Sequence, residues 1–252
     1  MNAIQNSNAR PFALFIAGSA LIISAILWEN FPVLIFIAFA PFFALLDFRK
    51  VNLIALACLL GVLSELLLYY VGVNTPILLY IFLAAGLFAA FRSVQHLTHN
   101  RLNKFTLVII FTAVEYVLVK LMIHTNPVFL ADILSHKPEW TRWNISTGYL
   151  GTSLWIMAIN LLFYQAIFQS KQINILLSLL GLLCIVLPIL YSLNLENNAV
   201  TKEEVLQFYS GTPGADNTYA LHGQLISRTG AWVSMLIIIF TLVRIKTKKV
   251  AR

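Results

Sequence analysis

The sequence predicts an all-α polytopic membrane protein, a bundle of eight transmembrane helices with both termini in the cytoplasm. Three observations predict it. The first is composition: of 252 residues, 60% are hydrophobic and only 11% charged. A soluble domain carries about 25% charged residues to cover its surface. The second is a series of apolar runs, each long enough to cross about 30 Å of hydrocarbon as a helix. The third is the distribution of lysine and arginine along the chain. Together they exclude an ordinary cytosolic enzyme, a disordered chain and a disulfide-stapled secreted domain.

The runs span about 11–28, 31–48, 51–72, 75–94, 104–124, 149–170, 173–195 and 229–245. None alternates strictly, as the short strands of a membrane β-barrel do. The first follows a single cation, Arg10, and no A-x-A site precedes re-entry at Phe31, so it reads as a span and not a cleaved signal. The third carries Cys58 and Glu65, and the fourth has Arg92 near its end. The fifth contains Glu115 and Lys120, the sixth Asn160, the seventh Cys184. Both cysteines sit in apolar runs and read as small buried hydrophobes.

Threading eight spans from a cytoplasmic N-terminus puts 12 of the 17 lysines and arginines inside, with at least one in every inner loop. The positive-inside rule therefore explains the net charge of +7. No basic patch interleaved with aromatics points to nucleic acid. The chain reads as one transmembrane domain over residues 1–252, with longer external loops at 125–148 and 196–228. Trp28, Trp140, Trp143, Trp155 and Trp232 fall on or near the outer side and read as an interfacial belt, with Arg228 anchoring the last span beside Trp232.

Ionisable groups inside a membrane are expensive and therefore informative. Glu65 and Glu115 are intramembrane carboxyls, and Asn160 reads as interhelical hydrogen-bonding glue. Lys120, five residues past Glu115, reads as snorkelling outward. External His124, His136 and His222 are candidate general bases, with Asp132 or Glu139 to orient one of them. His96 and His99 have a ligand-like spacing, but a basic inner loop with no third ligand predicts no metal site. No nucleophile elbow, phosphate loop or dinucleotide fingerprint occurs, so no cofactor is expected.

Several stretches resemble the apolipoprotein N-acyltransferase family. Trp28-Glu29-Asn30-Phe31-Pro32, closing in Ala40-Pro41-Phe42-Phe43-Ala44-Leu45-Leu46, looks like its opening hairpin. Glu115-Tyr116 with Lys120 is similar to its Glu-Trp-Leu-Arg stretch. Thr147-Gly148-Tyr149-Leu150-Gly151-Thr152-Ser153-Leu154, followed by Asn160, resembles its Thr-Gly-x-x-Gly-x-Ser entry to the sixth span. Ser227-Arg228-Thr229-Gly230-Ala231-Trp232 resembles its arginine-x-glycine-x-tryptophan approach to the last span. The resemblance implies a bacterial inner membrane location and eight spans.

Family members carry an external carbon–nitrogen hydrolase domain between the seventh and eighth spans, which supplies a glutamate, a lysine and a cysteine. Here that interval is about Glu196 to Arg228 and contains no cysteine. The domain is absent, and its catalytic residues map to no position of this chain. The resemblance then implies a degenerate or split member that binds phospholipid or lipoprotein acyl chains. Its chemistry is absent or comes from a separate hydrolase subunit. One alternative is a self-sufficient acyltransferase with an external histidine base. Another is a transporter or membrane-assembly subunit using Glu65 and Glu115.

Overall fold

A computed structural model describes residues 9–27, 32–48, 103–121, 129–169, 172–196, 198–210, 228–237 and 239–240. The expected spans 51–72 and 75–94 lie outside the described residues. So do Trp28, Cys58, Glu65, His96, His99, His124 and His222. Among the described residues every regular element is helical and none is a strand.

The helices are α1 (Ala9–Leu27), α2 (Ile35–Ala38), α3 (Ala40–Leu45), α4 (Asn103–Leu121), α5 (Asn144–Thr147), α6 (Tyr149–Ile167), α7 (Ile175–Leu193) and α8 (Lys202–Ser210). Residues 228–237 are also helical. Short 3-10 turns cover Pro32–Leu34, Leu130–Leu134 and Pro138–Trp140.

Three helices among the described residues, not eight, are long and apolar enough to cross a membrane: α1 from Arg10, α6 and α7. The difference has local causes. The expected second span, 31–48, is interrupted and becomes the Pro32–Leu34 turn, α2 and α3. The fifth forms a 19-residue helix, α4, but Lys104, Glu115 and Lys120 dilute its apolar character. The last is described only over 228–237 and 239–240.

α6 is the central post. It packs against α2, α3, α4 and α7, while α1 covers α2 and α3. At Gly18 a Cβ would come within 2.5 Å of the Phe42 ring, so this glycine sets the close approach of α1 and α3. Gly181 on α7 faces Phe163 on α6 in the same manner, at 3.2 Å. The 228–237 helix leans on α4, where Ser234 Oγ donates to Ile109 O at 3.4 Å.

α6 starts at Gly148, whose φ of 83° and ψ of 161° suit a residue without a Cβ. α7 starts at Asn174, whose side chain accepts the Leu177 N–H at 3.1 Å. Only Gly181, Ile185 and Ser192 of α7 are buried. Leu176, Leu179, Leu183, Leu187 and Leu190 face outward. A polar solvent would penalise that leucine surface heavily, whereas lipid tails would not.

The interval 125–148, expected as a loop, is described from Phe129 onward and folds back into the bundle. Phe129, Leu130, Ala131 and Leu134 are buried. The interval 196–228 contains α8, a polar helix placed against α4.

Candidate functional site

The polar side chains of the interior fall at three levels of α6. Midway, Asn160 is fully buried and bridges to α2 and α3. Its Oδ1 accepts the Phe39 N–H at 2.7 Å, and its Nδ2 donates to Ile35 O and Ile156 O, each at 2.8 Å.

At one end, Asp47 accepts from the Lys104 ammonium and from the Tyr164 hydroxyl, the latter at 2.7 Å. Lys104 also donates to Tyr164 Oη at 2.8 Å and lies 4.3 Å from the ring centroid. The lysine is 2% exposed and the Asp47 side chain 46%, so the pair joins a buried cation to a half-solvated anion.

The other end, fifteen residues or about 22 Å away along α6, holds the candidate site. Three successive backbone N–H groups enter the Leu130–Leu134 turn, and each finds a side-chain acceptor. Phe129 N donates to Asp132 Oδ2 at 3.0 Å, Leu130 N to Glu115 Oε1 at 2.8 Å, and Ala131 N to Ser153 Oγ at 3.0 Å. These are the orphan donors that a helical turn leaves at its start. Here α4 and α6 supply two of the acceptors and the turn's own Asp132 the third, which explains how this irregular backbone is tolerated among apolar helices.

Asp132 is the hub of the cluster. Besides Phe129 N, it accepts the Tyr149 hydroxyl on Oδ1 and the Lys202 ammonium on Oδ2, the latter at 2.9 Å. Lys202 also lies 5.6 Å from the Phe129 ring centroid. Glu115 is an electrostatic neighbour of Asp132 and has Ser153 beside it. Its second oxygen, Oε2, is buried without a hydrogen-bond partner. Lys120 is exposed, as expected, and its ammonium lies 5.6 Å from the Tyr116 ring and 5.2 Å from that of Tyr209.

The other expected site residues lie elsewhere. His136 is exposed. Glu139 faces Lys137 at 3.8 Å. Neither Asp132 nor Glu139 is paired with a histidine among the described residues. Trp155 is half-buried; its Nε1 donates to Cys184 O at 2.8 Å, and its ring packs edge-on against Phe36 and Trp143. Trp143 in turn donates to Trp140 O at 3.2 Å. These three tryptophans form an internal seam between α6, α7 and the 138–143 turn. Trp232 is 58% exposed, and Arg228 is exposed as well.

Sequence reading missed Asp47, Lys104, Tyr149, Ser153, Tyr164 and Lys202, because each is ordinary at a span end or in a polar loop. Their only advance signal was position, since Tyr149 and Ser153 sit in the Thr147–Leu154 motif. Among the described residues no cluster of three or more His, Cys, Asp or Glu could hold a metal ion. The hub fixes the backbone of the Leu130–Leu134 turn and ties it to α4, α6 and α8. No family model, no curated protein and no solved structure matches this chain.

Proposed function

We propose that the chain is an eight-span protein of the bacterial inner membrane, both ends cytoplasmic, related to the apolipoprotein N-acyltransferases. In this reading its bundle holds phospholipid or lipoprotein acyl chains, and acyl-transfer chemistry is absent or comes from a separate hydrolase subunit. The observation that carries it is the outward leucine face of α7, which runs to the end of α6 where the Asp132 hub lies. Arg142 terminates that face: its guanidinium donates to Leu195 O at 2.6 Å, and its backbone N–H donates to Ser192 Oγ at 2.7 Å. An apolar wall ending in fixed polar groups matches an acyl chain with its polar head.

Of the histidine bases only His136 lies among the described residues, where it is exposed and paired with neither Asp132 nor Glu139, so that alternative is not favoured. The transporter alternative is not favoured either, because Glu115 spends one oxygen on the Leu130 backbone.

The test has two arms. Native mass spectrometry of the purified chain should find phospholipid retained. Mass spectra of lipoprotein N-termini should differ between cells with and without the gene. Retained lipid with unchanged lipoproteins would leave a lipid-holding protein outside lipoprotein acylation. Absence of both effects would overturn the proposal.

A further inference from the structure

We propose that α8 is a hinged cover over the far end of the bundle, with Val200 as its pivot and the Lys202–Asp132 pair as its catch. The inference concerns this chain alone and stands whether or not the protein handles acyl chains.

The cover is attached lightly. Val205 is the only residue of α8 that is fully buried. It seats on a small apolar cluster with Leu118, Val119, Phe129, Tyr149 and Leu150, separate from the main core around α2, α3 and α6. Phe208 and Tyr209 add only partly buried contact, Tyr209 meeting Tyr116 edge-on at 6.2 Å. So little apolar burial makes α8 a unit that can open without unfolding the bundle.

The pivot, by contrast, is fixed. Asn144 is 1% exposed and binds Val200 twice. Its Oδ1 accepts the Val200 N–H at 2.7 Å, and its Nδ2 donates to Val200 O at 3.2 Å. α8 carries its own reciprocal cap: Glu204 Oε2 accepts Thr201 N at 2.9 Å, and Thr201 Oγ1 accepts Glu204 N at 3.3 Å. The helix therefore needs no contact with the bundle to satisfy its first turn. Once off its seat, a helix of nine residues frays in water, so opening shows at its own amides.

On release, Lys202, whose side chain is 14% exposed, regains water at its ammonium group. Asp132 keeps two of its donors, Phe129 N and the Tyr149 hydroxyl. Opening uncovers an aromatic floor, Tyr116, Phe129 and Tyr149, next to the Glu115 carboxyl with its free oxygen.

Hydrogen exchange on the full chain in lipid nanodiscs tests this. The α8 amides from Val205 onward should exchange faster than those of Ile156–Leu161 in α6. Lys202→Met should speed α8 exchange by about ten- to a hundredfold, the weight of a lost charged hydrogen bond, while α6 and the Val200 amide stay unchanged. Lys202→Arg should keep α8 near its original rate. The proposal is overturned if α8 and α6 exchange together in the unsubstituted chain. It is also overturned if Lys202→Met leaves α8 unmoved, or if Val200 loses protection with α8.

Discussion

The Asn160 amide stands where a helical hydrogen bond would otherwise join Phe39 to Ile35. Oδ1 takes the Phe39 N–H and Nδ2 caps the Ile35 carbonyl. A side chain inserted into the i to i+4 ladder is a recognised cause of a break. Pro41, which lacks an N–H, keeps the next turn from repairing it. One asparagine on α6 thus divides the second apolar run into α2 and α3 and ties both pieces to the central post.

Replacing Asn160 separates two effects. In Asn160→Ala the Phe39 N–H can close directly on Ile35 O, so the loss should be about 1–3 kcal/mol. Asn160→Asp should cost more, because it sets a carboxylate against the carbonyls of Ile35 and Ile156. Thermal unfolding of detergent-purified variants gives the order. Equal losses would show that the donor side of the amide is unimportant.

The Asp47–Lys104 pair is asymmetric, and its variants should be too. Asp47→Ala leaves a buried ammonium with Tyr164 as its remaining partner among the described residues, a cost of about 3 kcal/mol or more. Lys104→Met leaves a half-exposed carboxylate that water and Tyr164 still satisfy, so it should cost about 1 kcal/mol. Urea or thermal denaturation of the two variants would reveal the difference, and a reversed order would contradict the burial assignment.

Glu115 acts on the backbone through its Oε1. Glu115→Gln retains an acceptor for Leu130 N and should change stability little. Glu115→Leu strands that N–H and should cost about 2 kcal/mol. The stability difference should appear with faster exchange at Leu130 and Ala131, whereas the α6 midpoint at Asn160 remains protected.

The tryptophans offer an optical check on the lipid-facing surface. Brominated lipid should quench a variant retaining only Trp232 strongly, and one retaining only Trp155 weakly. Trp155 is hydrogen-bonded to Cys184 O and sandwiched by Phe36 and Trp143. Equal quenching would mean that the seam between α6 and α7 opens to lipid.

Much of the helical layout was legible. The runs 11–28, 149–170 and 173–195 became α1, α6 and α7 within a few residues, because a long apolar stretch satisfies its backbone most simply as a helix. The break at Phe39 was not legible, since its cause lies 121 residues away in sequence. Asn160 and Glu115 attracted notice by residue type alone. Ile35, Phe39 and Leu130, their partners, did not, because a backbone N–H or carbonyl has no residue signature.

The same limit applied to Asp132. Its place beside external histidines suggests an orienting group for one of them, and the folded chain instead gives it Tyr149 and Lys202. A lysine in a polar loop and a tyrosine at a span start are unremarkable until the chain brings them to one carboxylate.

By itself the sequence determined a helical chain rich in apolar surface, with a few polar groups in places where they are costly. Composition and run length suffice for that, because they set the solvation cost of each segment independently of its neighbours. Only the tertiary structure decided which polar groups meet, where the second run breaks, and which loop segments return to the core. Those outcomes depend on directional hydrogen bonds between residues far apart in the chain, and direction exists only once the helices are packed.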